Sequence, residues 1–413
     1  MTRAARVTYV ASVGGKGVRM RDLGHLGEPV GRRRVLAAGA ALAAGPALPA
    51  TARAAAARTP SGALPSRAEI TAVLRRVADH WIGAHADPGD NKWARATFFS
   101  GLMALYRLTR DARYLRYARG WAEGHDYALN SGVTTRHADD HCAGQTYLDL
   151  YELEPEQGKI AAIEESLHRM VFTDRPEKND DWWWDDALHM AMPPFARIGR
   201  LRAEPAYWDK LYALYTHTKS AEGGPGLYDP ESGLWYRDKR FLPGGILSPD
   251  GKPVVWSRGN GWVAGGHVKT LKTLPAGARH VPEYRATLVG ELAALRAVQR
   301  ADGFWNVNLA DPAHLPGPET SGTSFFLYAT AYALRARLVP RTQYFPVVTR
   351  AWHGLTTTAV HPDGFLGYVQ GVGDRPESSQ PVGYDTTADF GVGAFLHAGC
   401  ELAELAVSRT GPA

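Results

Sequence analysis

Three tryptophans, Trp182, Trp183 and Trp184, stand directly before Asp185 and Asp186, with Ala187, Leu188, His189 and Met190 following. A second aromatic frame is Trp256-Ser257-Arg258-Gly259-Asn260-Gly261-Trp262. Indole faces stack on sugar rings, and a carboxyl group set among them can protonate what is stacked there. Beside indoles, the pKa of Asp186 is expected to rise, which keeps a proton available near neutrality. Asp185 is the neighbouring alternative, but adjacent helical positions point about 100° apart, so only one can face a lumen squarely. Asp139-Asp140-His141 opens another helix in the same way, and one carboxylate there can face Asp186. The competing reading for each pair is a plain helix N-cap, a place Asp fills well.

Arg258 lies between Trp256 and Trp262, with glycines that allow close ligand approach. A guanidinium in that frame suits a carboxylate, which it can hold bidentately; the competing reading is an Arg stacked structurally on Trp. Trp184, Trp256 and Trp262 are read as walls of the cleft. His189, one turn below Asp186, either touches substrate or hydrogen-bonds in the core. Arg136, His137, Arg237 and Asp238 are weaker candidates, and Glu319 reads mainly as a cap for the helix that follows it. No Cys/His spacing suggests zinc and no glycine-rich phosphate loop is present, so neither a metal nor a cofactor is expected. Cys142 and Cys400 are too few for a disulfide framework and are expected as buried thiols.

To position these groups, helical periodicity recurs from Arg67 onward, punctuated by Gly, Pro and Asp. It predicts helices over Arg67–Ala84, Thr97–Thr109, Asp111–Leu129, Asp139–Leu153, Glu156–Phe172, Asp186–Leu201, Pro205–Lys219, Gly259–Leu274, Val281–Arg300, Ser321–Leu338, Gln343–Thr358 and Thr386–Ser408. The first member of each pair is richer in Gly, Ala and apolar residues, as in Gly391-Val392-Gly393-Ala394-Phe395-Leu396. A helix apolar all round, with small residues for close approach, is an inner helix; its amphipathic partner is an outer one. The last helix needs the first as its partner. The expectation is therefore an all-α (α/α)6 toroid, six helical hairpins closed into a ring. The long segments 173–185, 220–258, 301–320 and 359–385 carry Trp, Asp, Gly and Pro just before inner helices, which puts a cleft at that mouth. Residues 233–237 and 367–370 can form short hairpins there.

Taken in order, the motifs resemble those of the unsaturated uronyl hydrolases, glycoside hydrolase families 88 and 105. They are Ala138-Asp139-Asp140 with Gly144-Gln145-Thr146-Tyr147-Leu148, and Trp184-x-Asp186-Ala187-Leu188-His189-Met190-Ala191 with Pro193-Pro194. Leu234-Trp235-Tyr236-Arg237-Asp238, the Trp256–Trp262 frame, Glu319-Thr320-Ser321-Gly322-Thr323, Gly367-Tyr368-Val369-Gln370 and Gly391–Leu396 follow, together covering about residues 67–408. The resemblance implies the same toroid and a reaction that hydrates the C4=C5 bond of a terminal unsaturated uronate. Asp186 would protonate C4 and assist water at C5, and the hemiketal would open without help. It places a second aspartate at Asp139 or Asp140, sets Arg258 and Trp262 against the unsaturated sugar, and implies no metal or organic cofactor. Where many members carry a His, this chain reads Trp235-Tyr236-Arg237, which brings Arg237 forward as a reader of a glucuronide carboxylate, as in arabinogalactan or ulvan fragments.

Composition sets the remaining bounds. The 413 residues carry a net charge of +5, but nine of the 47 Lys and Arg, against two of the 42 acids, lie in residues 1–57. The remainder is close to neutral, so nucleic acid is not an expected partner. The head itself runs from Arg32-Arg33-Arg34 through an apolar stretch, Val35 to Leu48, to small residues around Ala50–Ala54. That layout is an export signal of twin-arginine type, too short for a stable membrane span, leaving 58–413 as one catalytic domain in the extracellular space or cell envelope. Two other functions fit a Trp-lined acidic cleft. One is an inverting glycosidase acting on a saturated glycan with Asp186 and Asp139 or Asp140. The other is a non-catalytic glycan-binding protein.

Overall fold

Ser66 starts the first helix by a reciprocal cap: its backbone N–H donates to Glu69 Oε2 at 2.7 Å, and its hydroxyl accepts from the Glu69 N–H. From there the computed structural model describes residues 63–407. The export signal and the domain boundary expected at residue 57 lie outside them.

The helices are α1 (Arg67–Ala84), α2 (Trp93–Thr109), α3 (Ala112–Gly124), α4 (Ala138–His141), α5 (Ala143–Leu153), α6 (Ala161–His168), α7 (Ala187–Arg202), α8 (Ala206–Ser220), α9 (Ser257–Thr273), α10 (Val281–Ala297), α11 (Thr320–Arg335), α12 (Arg341–Gly354) and α13 (Asp389–Val407). Contacts run from α2 to α5, from α4 and α5 to α7, then through α9, α11 and α13 back to α2. These are the apolar members of each pair, and they form the inner ring; α3, α6, α8, α10, α12 and α1 lie outside it. The ring of six hairpins expected from the sequence is present, with α1 packed on α13 as the closing pair.

Three details differ from the periodicity. The helix expected over Asp139–Leu153 divides at Cys142, where tighter i to i+3 bonds join Cys142 to Asp139 and Gln145 to Cys142. The segment 156–172 starts as a 3-10 turn and ends as a π turn, with only its middle α-helical. Residues 228–229 and 234–235 do form an antiparallel hairpin, but 367–370 form no ladder. In that segment the Tyr368 carbonyl accepts from Thr320 N–H, and Val369 N–H donates to Thr386.

Inner helix α7 contains Pro193 and Pro194, which cannot donate to the carbonyls of residues 189 and 190. Gln145 on neighbouring α5 replaces both donors at once. Its amide Nε2 reaches the carbonyls of His189 at 2.8 Å and Met190 at 3.2 Å. Lys269 of α9 donates to the Gln145 amide oxygen at 2.8 Å and fixes its orientation. The seam between α13 and α2 is closed by glycine: a Cβ on Gly393 would lie 2.4 Å from the Thr97 carbonyl oxygen, and one on Gly101 would lie 2.4 Å from that of Gly393.

All six inner helices begin at one mouth, and their preceding loops are stitched to one another there. Asp185 N–H donates to the Arg237 carbonyl, Ser257 N–H to Val307 and Thr320 N–H to Tyr368. Asn260 takes both backbone groups of Trp235, at 2.9 Å each, and so pins the hairpin to α9. The opposite mouth holds a 460 Å³ cavity whose cations are largely matched. There Arg107 and Arg197 pair with Asp149, and Lys272 and Arg335 with Glu401. Among the described residues one helix, α13, is apolar and long enough to cross a membrane, a property not anticipated from the sequence; it is buried as a stave of the inner ring.

Candidate active site

Asp186 stands at the N-cap position of α7, yet its carboxyl group makes no capping bond. Instead Oδ2 faces Arg237 Nε at 3.3 Å. Burial raises its pKa above the ordinary carboxylate range, against the opposing pull of Arg237 and Arg258. This is a carboxyl group excused from the helix and held where burial favours its protonated form.

Across the mouth, the two candidates on α4 separate cleanly. Asp140 accepts from Thr135 Oγ1 at 2.7 Å and from Asn130 Nδ2 at 3.2 Å. Burial alone would raise it, but these hydrogen bonds hold it below its usual value. The Asp139 carboxyl group lies 3.9 Å from the His137 ring, whose pKa burial lowers. Burial and then the charge of Asp186 push it up to about 7. The two groups that feel each other are therefore Asp139 and Asp186, while Asp140 ties down the loop before α4.

Arg237 is engaged within the site. It bridges Asp186 and Asp238, the latter at 2.8 Å, and its guanidinium lies 5.5 Å from the Trp183 ring. Arg258 is buried, and burial brings its pKa down to about 10. Its Nη1 donates to the carbonyls of Gln370 and Gly371 at 2.7 and 2.9 Å, and its plane rests on Trp256 and Phe390. Among the described residues only Nη1 finds acceptors, so Nε and Nη2 remain for an anionic group. Trp256 is fixed through Nε1 to Gln370 Oε1 at 2.9 Å.

The expected walls prove to be mostly internal. Trp184, Trp256 and Trp262 are all but fully buried, whereas Trp183 is 45% exposed. Trp183 is the exposed indole of the three, and it was passed over in the sequence because nothing local distinguishes it within the run. Trp262 packs among Trp93, His189, Phe325 and Phe390 in the barrel interior. His189 is wholly buried beside it, with Lys269 Nζ at 3.4 Å from Nε2, and burial holds its pKa well below the usual value. It is a neutral core histidine beneath the site. Glu319 caps α11 through the N–H groups of Ser321 and Gly322, the role read for it. Arg136 is committed to Asp181, and His137 lies against Trp184 at 4.7 Å.

The arrangement offers two carboxyl groups with raised pKa, a cation with unused donors and one exposed indole. Such a set can protonate a sugar carbon or oxygen, hold a carboxylate and activate water. Comparison with known proteins gives the family. The family model for Glycosyl Hydrolase Family 88 matches residues 69–406. The unsaturated 3S-rhamnoglycuronyl hydrolase of Formosa agariphila is 30% identical over 360 residues, covering 82% of this chain and 92% of its own. A solved family 88 glycosyl hydrolase from Bacteroides vulgatus is 33% identical, covers 83% of this chain and all of its own, and superposes with a TM-score of 0.77. A solved protein named a polysaccharide lyase is 34% identical with a TM-score of 0.77, covering 84% of this chain and 99% of its own.

Proposed function

The chain belongs to glycosyl hydrolase family 88, and we propose that it removes a terminal 4,5-unsaturated uronic acid from lyase-generated oligosaccharides by hydrating the C4=C5 bond. The observation that carries this reading is the Asp186 carboxyl group, placed at a helix N-cap without capping and kept above its usual pKa. Asp186 gives a proton to C4, and positive charge develops at C5 and the ring oxygen. Water then bonds to C5 and gives up a proton, and the hemiketal opens. Asp139 is the second carboxyl group of the site, near enough to Asp186 that each charge disfavours the other. Arg258, through Nε and Nη2, holds the uronate carboxylate, and Trp183 stacks on a neighbouring sugar.

Likeness to a 3S-rhamnoglycuronyl hydrolase supports a uronate carried on rhamnose, as in ulvan fragments. Export by the twin-arginine route belongs to the same proposal, on Arg32-Arg33-Arg34 and the apolar run after them. Cell fractionation of a variant with those arginines changed to lysine checks it: the protein is expected to stay in the cytoplasm.

The full chain and Asp186→Asn are to be mixed with lyase-digested ulvan, rhamnogalacturonan and arabinogalactan, and the ultraviolet absorbance of the conjugated double bond followed. Decay with the wild type alone, and a loss of about 10³-fold or more in the variant, is expected. The relative named a lyase makes the opposite sign worth reading: absorbance that rises on undigested polysaccharide would mean that the chain creates the unsaturated uronate. No change on digests together with cleavage of saturated glycan would point to an inverting glycosidase. Affinity without turnover would leave only glycan binding.

A further inference from the structure

Asp185 takes no part in the reaction described above, yet it lies closer to Asp186 than any other acid in sequence and is wholly buried. Its N–H is tied to the Arg237 carbonyl at 2.9 Å, which fixes the residue on the rim of the mouth. Gly259 closes over the side chain so tightly that a Cβ there would stand 2.4 Å from Asp185 Oδ2. Neither carboxyl oxygen receives a hydrogen bond from any described N–H or hydroxyl group, and Asp186 Oδ1 is in the same position. The charged groups that face the pair are Arg237 and Asp238 from the loop before α9, Arg258 at the head of α9, and Asp139 of α4. Arg237 pairs with Asp186 and Asp238, and none of the cations donates to Asp185.

A buried carboxylate without donors is strongly disfavoured, and such a group takes up a proton instead. Asp186, its neighbour in the chain, is the acid whose charge weighs most on Asp185, and two carboxyl groups can bond to each other only through a proton. We propose that Asp185 is a positioning residue that carries this proton and shares it with Asp186, so that the pair, rather than Asp186 alone, stores the proton used in hydration. The inference rests on the hydrolase reading given above. The shared proton leaves through Asp186 as the C4=C5 electron pair forms the new C4–H bond. The pair is then doubly negative beside the cation at C5, with Arg237 and Arg258 facing it. Water forms the C5–O bond and returns one proton to the pair, so one water is consumed and the store is refilled. Burial, and then the neighbouring Asp186, hold Asp185 well above the carboxylate range, so the pair gives up its last proton at higher pH than a lone Asp186 would.

The test compares wild type, Asp185→Asn and Asp185→Ser in two ways. Infrared difference spectra of the unliganded proteins look for the carbonyl stretch of a protonated carboxyl group, and rate profiles on the digest that responds give kcat and KM against pH. In spectra of wild type minus variant at neutral pH, a protonated-carboxyl component is expected, while those of Asp139 and Glu291 cancel because both variants keep them. The variants' alkaline limb in kcat moves down by about one pH unit or more, a tenfold loss of rate at any pH on that limb, with KM little changed. A wild-type minus Asp185→Asn spectrum without that component, or an alkaline limb that does not move in either variant, overturns the proposal. Should the wild type turn over no unsaturated digest, the hydrolase reading fails, and the infrared band by itself still decides whether Asp185 holds the proton.

Discussion

Asp139 and Asp140 are neighbours of the same type whose environments drive them in opposite directions. Asp139 titrates near 7 when folded, because burial and Asp186 disfavour its charge. Its unfolded value lies in the ordinary carboxylate range, so folded protein loses stability as pH climbs from about 4 to 7. Asp139→Asn removes that penalty. It is expected to melt higher than wild type at pH 8, by on the order of 1–3 kcal/mol, while the difference closes toward pH 4 and hydrolase activity falls by about 100-fold or more. Asp140 has a depressed value, so the stability it contributes is present above the carboxylate range and is lost as pH falls through its folded pKa. Asp140→Asn should therefore melt lower at neutral pH. Thermal melts of both variants across pH, with equal and pH-independent shifts, would refute this division of roles. The raised pKa of Asp186 was legible, because a carboxyl group set in an aromatic run signals burial whatever the fold. The choice between Asp139 and Asp140 was not, since it depends on Thr135 and Asn130 reaching one carboxylate and missing the other. Nor was the choice of exposed indole: Trp183 and Trp184 differ only in which side of the rim they face.

At the scale of elements, apolar periodicity and small residues were enough to sort inner from outer helices, because burial on one side or all round is written into composition. The ends were harder to place. Helix α2 begins at Trp93 rather than Thr97, and α10 stops at Ala297 rather than Arg300, where tertiary contacts and loop bonds decide. Least legible was the tolerance of Pro193-Pro194 inside an inner helix, which depends on a side chain almost fifty residues earlier. Gln145→Leu keeps the apolar volume but leaves the carbonyls of His189 and Met190 buried without donors, and leaves Lys269 short of an acceptor. Losing one such partner costs about 1–3 kcal/mol, so the variant should lose at least that much in denaturant unfolding. Gln145→Glu offers an acceptor to Lys269 and no donors to α7, and should not rescue it. If either variant is as stable as wild type, the proline pair is satisfied by some other route.

The ring as a whole is held by a contact between the two ends of the described chain. Helix α13 fits between α11 and α2 and carries α1 on its outer side, so no local segment can replace it if the seam opens. The seam admits no Cβ at Gly393 or Gly101, where the obstacles are carbonyl oxygens of the backbone that cannot swing aside. Gly393→Val must then push α13 off α2, at a cost of about 3 kcal/mol or more, since overpacking here adds to the loss of close helix contact. The same argument predicts the opposite outcome at Gly120 of outer helix α3, where nothing lies within 4 Å of an added Cβ. There Gly120→Ala should stabilise the protein by about 0.5–1 kcal/mol, through helix propensity and a less flexible unfolded chain. Both substitutions lie outside the catalytic constellation, so thermal unfolding followed by circular dichroism reads the ring alone. A seam that governs closure gives a lower, still cooperative transition for Gly393→Val and a slightly raised one for Gly120→Ala. Loss of α13 signal ahead of the rest would instead show that the other five hairpins hold together without the ring being closed, and closure would then be a late docking step rather than the basis of the fold.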